Sequence, residues 1–175
     1  EISPGDALED VRERAQRLWD EKLGVIEVKG ATEDQLTTLY SGLYRLFLYP
    51  NSAFENVGTR EDPVYKHAVQ SSSATQIPPG TTPTHTGAPV VEGKVYVNNG
   101  FWDTYRTVWA AYSLLSPQTA GELVDGFVQQ YRDGGWVSRW SSPGYANLMT
   151  GTSSDVAFAD AYVKGVPGID ARDTY

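Results

Sequence analysis

The chain has no cysteine among its 175 residues. That excludes disulfides, thiolate metal sites and a cysteine nucleophile, and it leaves the redox compartment open. Histidine occurs only twice. His67 and His85 lie alone in a polar stretch with no partner at metal-ligand spacing, so both read as solvated. Basic residues are scarce, 14 Lys plus Arg against 22 Asp plus Glu, for a net charge of −8. Such a balance argues against an electrostatic grip on nucleic acid or on an anionic membrane. No apolar run approaches the ~18 residues of a membrane-spanning helix. The chain opens on Glu1 without a signal-peptide pattern, as a processed chain or a piece of a longer one would.

Aromatic side chains, by contrast, are plentiful, with 5 Trp and 11 Tyr. Hydrophobic residues make up 40% and charged residues 21%, the composition of an ordinary globular domain. The length suits one domain with a sizeable core. An acidic, aromatic-rich chain fits a neutral polar ligand better than a charged one.

Capping and periodicity divide the chain into five helices. The first has Ser3 as N-cap, Pro4 at the first helical position and Leu8, Val11, Ala15, Leu18 and Trp19 at helical spacing, closed by Gly24. Its salted side is 9-EDVRER-14. The second opens on a capping box, Thr32 with Gln35, and Pro50 stops it. Residues 49–98 have no helical period. Within them 71-SSSATQIPPGTTPTHTGAP-89 is loop by its turn chemistry, and 90-VVEGKVYV-97 reads as two short strands. A connection of this length is a functional segment or a disordered one. The third helix, 101-FWDTYRTVWAAYSLL-115, is apolar on almost every side and so deeply buried. Ser116 and Pro117 open the fourth, which turns Leu123, Val124, Phe127, Val128 and Tyr131 inward and ends at Gly134 and Gly135. After the loop 134-GGWVSRWSSPGYANLMTGTS-153, the fifth starts near Ser154 and stops at Gly165.

The fold class expected is therefore all-α, an array of antiparallel helical hairpins. If the helices alternate up and down, both long loops and the N-termini of helices three and five share one face. That face carries the candidate ligand site: Trp102, Asp103 and Arg106 from helix three, Trp136 and Trp140 from the second loop, and Asp155 from the start of helix five. Asp103 and Arg106, at i and i+3, are spaced to pair on one side of a helix. Flat indole faces beside carboxylate and guanidinium groups suit a sugar ring and its vicinal hydroxyls. Taken singly, each residue has a plain structural role: Asp103 and Asp155 as first-turn acids, Arg106 as an ion-pair partner. Their concentration on one face favours a site. Asp103 and Asp155 do not make a convincing acid–base pair, because an Asp103 held ionised by Arg106 suits ligand holding rather than proton donation.

The segments 40-YSGLYRLFLYPN-51, 100-GFWDTYRT-107 and 134-GGWVSRWSSPGYANLMTGTSSDVAFADAYVKG-165 together resemble glycoside hydrolase family 92, the calcium-dependent exo-α-mannosidases, in order along nearly the whole chain. The resemblance implies that residues 1–175 are the N-terminal part of an (α/α)6 toroid, lacking its C-terminal part and the family's β-sandwich domain. It implies an enzyme that removes terminal α-linked mannose, with α-1,2 linkages foremost, by inversion, and it places Trp102, Asp103 and Arg106 in the pocket for that mannose. The catalytic carboxylates and most ligands of the calcium ion would lie C-terminal to Tyr175, so the chain alone would be inactive. Partners implied are α-mannoside glycans and either the remainder of the enzyme or another copy of this chain. The location implied is extracellular or periplasmic. A non-catalytic helical carbohydrate-binding or scaffold module is the alternative, and flanking sequence with or without an acidic motif separates the two.

Overall fold

A computed structural model describes residues 2, 4–69, 80–82 and 84–174. It divides the chain into two compact units, Glu1–Leu48 and Tyr49–Tyr175.

The first unit is a pair of helices, α1 (Leu8–Leu23) and α2 (Glu33–Leu46). The expected start of α1 is corrected. Ser3 lies outside the described residues, Pro4 and Gly5 form a turn, and Gly5 has φ 96°, which a right-handed helix cannot include. Helix begins only at Leu8, where the Asp10 carboxylate accepts the Ala7 N–H at 3.1 Å. The α2 start is as expected: Thr32 Oγ1 accepts from Gln35 N at 3.3 Å, and Gln35 Oε1 accepts from Thr32 N at 2.9 Å. Trp19 tilts onto Tyr44 with ring centres 4.6 Å apart, and the Lys22 ammonium lies 4.6 Å from the Phe47 ring centre. The Tyr40 hydroxyl donates to the Ile26 carbonyl at 2.7 Å and so ties the connecting turn to α2.

The second unit is not all-α, which corrects the expected class. Among the described residues, 51–100 hold six short strands, and three small antiparallel sheets form. β1 (Asn51–Ser52) pairs with β5 (Tyr96–Val97). β3 (Tyr65–Ala68) lies between β2 (Glu55–Asn56) and β4 (Val90–Glu92), with His67 opposite Val91. β6 (Asn99–Gly100), β7 (Trp140–Ser141) and β8 (Tyr145–Ala146) make the third. The strands expected in 90–97 are β4 and β5. Their partners carry no sequence signal, because strands of two to four residues have no measurable period. Of the loop expected at 71–89, residues 70–79 and 83 lie outside the described residues.

The reading of His67 as solvated is corrected too. It is 3% exposed rather than solvated. Its Nδ1 meets the Gly93 carbonyl at 2.9 Å and its Nε2 the Asp133 carboxylate at 2.7 Å, so the imidazole joins β3 to the next long helix. His85 is exposed, as expected.

Helix three of the sequence is two helices, α3 (Phe101–Thr104) and α4 (Val108–Leu115). The Thr104 hydroxyl donates to the Gly100 carbonyl four residues back at 2.9 Å, and Thr107 leaves helical geometry at φ −133°. Back-bonding of this kind bends or ends a helix. Phe101, Trp109 and Tyr112 are buried, but Leu114 is 80% exposed, so α4 has an open side. α5 (Pro117–Gly134) ends as expected, with Gly135 at φ 78°. It buries Leu123, Val124, Phe127 and Val128, while Tyr131 faces outward. α6 (Ser153–Val163) and α7 (Ala171–Thr174) complete the unit.

Aromatic rings fill the core. Phe101 stacks on Trp109 with centres 5.5 Å apart, and it meets Phe127 of α5 at 4.9 Å and Phe158 of α6 at 5.6 Å, both edge to face. Such pairs add to the stabilisation that their buried area supplies. The Tyr112 hydroxyl donates to the Tyr49 carbonyl, and burial pushes its phenol up to about 12. Burial, reinforced by the Glu122 carboxylate, pushes the Tyr96 phenol upward too. The Tyr96 ring lies against α5 at Gly126, where an added Cβ would collide with it.

Candidate functional site

The site begins where strand turns into helix. Asn98 takes a left-handed φ of 62°, β6 follows, and α3 starts at Phe101. β6 pairs with β7 so that Asn99 faces Ser141 and Gly100 faces Trp140, and β7 pairs with β8 to close a hairpin. A Cβ on Gly100 would fall 2.5 Å from Trp140 Cη2 and 3.0 Å from Asp103 Oδ2. Two groups from segments nearly forty residues apart thus converge on one point of backbone: the six-membered ring of an indole and a carboxylate. Only glycine leaves room for the ring there.

Trp102 is 44% exposed beside this point. The Arg106 guanidinium lies over it, 5.4 Å from its ring centre and 5.0 Å from that of Tyr105, and Nη2 donates to the Trp102 carbonyl at 3.5 Å. Exposed stacks of this kind are worth about 0.5–1 kcal/mol. The expected Asp103–Arg106 ion pair is not among those of the described residues. The Arg106 guanidinium is instead engaged by the Trp102 and Tyr105 rings and the Trp102 carbonyl. Asp103 is exposed, with Oδ2 close to the point where Trp140 meets Gly100.

Asp155 stands exposed in the first turn of α6, its N–H bonded to the Thr152 carbonyl at 3.0 Å. α6 is the helix that packs on Phe101 through Phe158, so Asp155 belongs to an adjoining element. Trp136 follows the helix-ending Gly135 and is 66% exposed. Among the described residues no hydrogen bond or ring contact joins Trp136 or Asp155 to the others. The structure therefore brings together Trp140 with Asp103 and Trp102 with Arg106, and leaves Trp136 and Asp155 at the margin.

The residues that hold the Trp140 hairpin were not among the candidates. Arg139 donates to the Met149 carbonyl at 3.1 Å and to the Asn147 side chain, bracing the hairpin from outside. Buried Ser138, Ser141 and Gln130 form a hydrogen-bonded group beneath it. A signal for Gln130 existed: it lies three residues after Phe127, a polar residue on the apolar stripe of α5.

Among the described residues no group of three His, Asp or Glu side chains could hold a metal ion. These residues do not form a calcium site on their own. A cleft of about 390 Å³ lies in the first unit, lined by residues including Leu23, Tyr40, Tyr44, Arg45 and Leu48. Its surface is mostly apolar, and Arg45 is turned onto the Ser41 carbonyl at 3.0 Å.

Residues 1–175 match the model of the glycosyl hydrolase family 92 catalytic domain. Among solved structures, the family GH92 inverting mannosidase BT2199 from Bacteroides thetaiotaomicron is similar with 30% identity and a TM-score of 0.78, over 98% of this chain and 21% of that one. The family GH92 α-mannosidase BT3965 of the same organism, in complex with mannoimidazole, shares the fold at 18% identity and a TM-score of 0.76, over 98% and 20%. The chain thus spans about a fifth of the length of these structures. No curated protein matches it in sequence.

Proposed function

Since this chain belongs to glycosyl hydrolase family 92, as a stretch of the family's catalytic domain, we propose that it is the sugar-holding segment of an inverting exo-α-mannosidase acting on terminal α-linked mannose, α-1,2 linkages foremost. The observation that carries the proposal is the convergence of Trp140 and Asp103 over Gly100. The apolar face of a pyranose stacks on the indole, and the Asp103 carboxylate accepts hydrogen bonds from adjacent hydroxyls. Trp102 and Arg106 form a second aromatic and cationic wall beside them. Trp136 and Asp155 serve at the rim, where a longer glycan would pass.

An inverting glycosidase needs a general acid and a general base on opposite faces of the sugar, far enough apart to admit a water molecule. On this reading both lie outside residues 1–175, as do most ligands of the calcium ion, and the whole enzyme works outside the cytoplasm. Similarity to the inverting mannosidase BT2199 supports the reaction class. The exposed carboxylate of Asp103 supports a binding role for it, since no cation of the described residues engages it.

In the intact enzyme, Asp103→Ala should lower kcat/KM by about tenfold to a thousandfold, the loss expected on removing charged hydrogen bonds to the sugar. Steady-state kinetics on α-1,2-mannobiose measures this. Near-wild-type kcat/KM would remove Asp103 from the site. For the 175-residue chain, proton NMR with the same disaccharide and calcium should show no β-mannose, and line broadening of the terminal mannose that Trp140→Ala abolishes.

A further inference from the structure

We propose that Gln130 is the positioning residue of the sugar site and acts through Trp140; the proposal rests on the reading of Trp140 and Asp103 as sugar-holding groups. Gln130 is 2% exposed, in the middle of the α5 face that carries Phe127 and Val128. A carboxamide there is costly unless every polar atom is paired, whereas an apolar side chain of equal volume would pack at no such cost. Each atom is paired. Nε2 donates to the Tyr96 carbonyl and, at 3.2 Å, to Ser141 Oγ. Oε1 accepts from Ser138 Oγ. Ser141 Oγ in turn donates to the Pro143 carbonyl at 2.7 Å.

These partners are the two strands of chain that meet at the site. Tyr96 belongs to the run that leads through Gly100 to Asp103. Ser138 and Ser141 bracket Trp140. The backbone pairing that joins the two runs has only two rungs, Asn99 with Ser141 and Gly100 with Trp140. A ladder so short specifies register weakly. Trp140 must also lie across Gly100 with no slack, since a Cβ there would overlap its ring. One buried carboxamide that grips both runs from the α5 side fixes the indole against the carboxylate. α5 thereby sets the geometry of a site to which it contributes no exposed side chain.

The test compares the intact enzyme with Trp140→Ala and Gln130→Met, the latter close in volume and unable to make these bonds. Kinetics on an α-mannoside are measured well below the unfolding temperature of each protein, and near-ultraviolet circular dichroism reports the Trp140 environment. Gln130→Met should lower kcat/KM by about a hundredfold, the effect of a displacement near 1 Å. It should also shift the dichroism that Trp140→Ala removes. Loss of activity in Trp140→Ala with wild-type kcat/KM and unchanged dichroism in folded Gln130→Met would overturn the role of Gln130. Wild-type kinetics in Trp140→Ala would instead overturn the sugar reading on which the proposal stands. If Gln130→Met does not fold, Ser138→Ala takes its place with the same outcomes, since it removes the bond to Gln130 Oε1 and leaves the core packing.

Discussion

Two amphipathic helices of similar length behave differently. α1 has sixteen residues and buries none, while α5 has eighteen and buries eight. Both carry apolar residues at helical spacing and both end at glycine. The difference lies in what surrounds them. α1 is held by local terms: the Asp10 carboxylate at its start, ion pairs such as Arg12 with Glu9 at 2.7 Å, and the contact of Trp19 with Tyr44. Exposed pairs of this sort contribute at most about 1 kcal/mol each. α5 is held by an aromatic cluster drawn from α3, α4 and α6, and it holds the site hairpin through Gln130. An amphipathic stripe states that a helix can be buried, and the neighbours decide whether it is.

The contrast can be broken by truncating one large apolar side chain in each unit. Trp109→Ala should cost about 3–5 kcal/mol of unfolding free energy in urea titrations, through cavity formation next to Phe101 and Phe127. Leu18→Ala, at a position 67% exposed on α1, should cost no more than about 0.5 kcal/mol. Equal losses would mean that the two units share one kind of core.

Tyr112 sharpens the comparison through pH. Its phenol stays protonated in the folded chain up to about 12, against 10.0 for an unburied tyrosine. Above pH 10 the unfolded state therefore binds fewer protons than the folded one, and stability falls as pH rises toward 12. One such group gives a slope of at most about 1.4 kcal/mol per pH unit. Urea unfolding at pH 9 and pH 11 should show a steeper fall for the wild type than for Tyr112→Phe. Some dependence should remain from Tyr96, whose phenol moves in the same direction. At pH 7 the Phe variant should lose about 1 kcal/mol with the hydrogen bond to Tyr49.

A small effect is also expected at the start of α2 in the first unit. Thr32→Ala should cost about 0.5–1 kcal/mol by deleting the cap of α2, seen as reduced helical circular dichroism. Unchanged helicity would show that packing of Trp19 on Tyr44, rather than the cap, starts that helix.

Local chemistry was readable wherever it acts within a few residues. The capping box of Thr32 and Gln35, Pro117 at the head of α5, Gly135 at its end and the approximate start of α6 all follow from backbone preferences that neighbours in the chain satisfy. The cluster of Trp102, Asp103 and Arg106 was visible for the same reason, being contiguous. What failed involved competition or distance. The α3–α4 break depends on the Thr104 hydroxyl taking the Gly100 carbonyl, which apolar periodicity does not register. His67 reads as solvated because its partner, Asp133, stands 66 residues away. The approach of Trp140 to Asp103 depends on a two-rung strand pairing that no periodicity announces.

Residue order alone thus settled roughly where the long helices lie, where several of them stop, and where aromatic and charged groups cluster, because torsional preference and capping are short-range. Tertiary structure decided the rest: which helix is buried, that Arg106 stacks on Trp102 instead of pairing with Asp103, and that Trp140 meets Asp103 over Gly100. Those outcomes depend on which surfaces exclude water together, and that is a property of chain segments brought close in space.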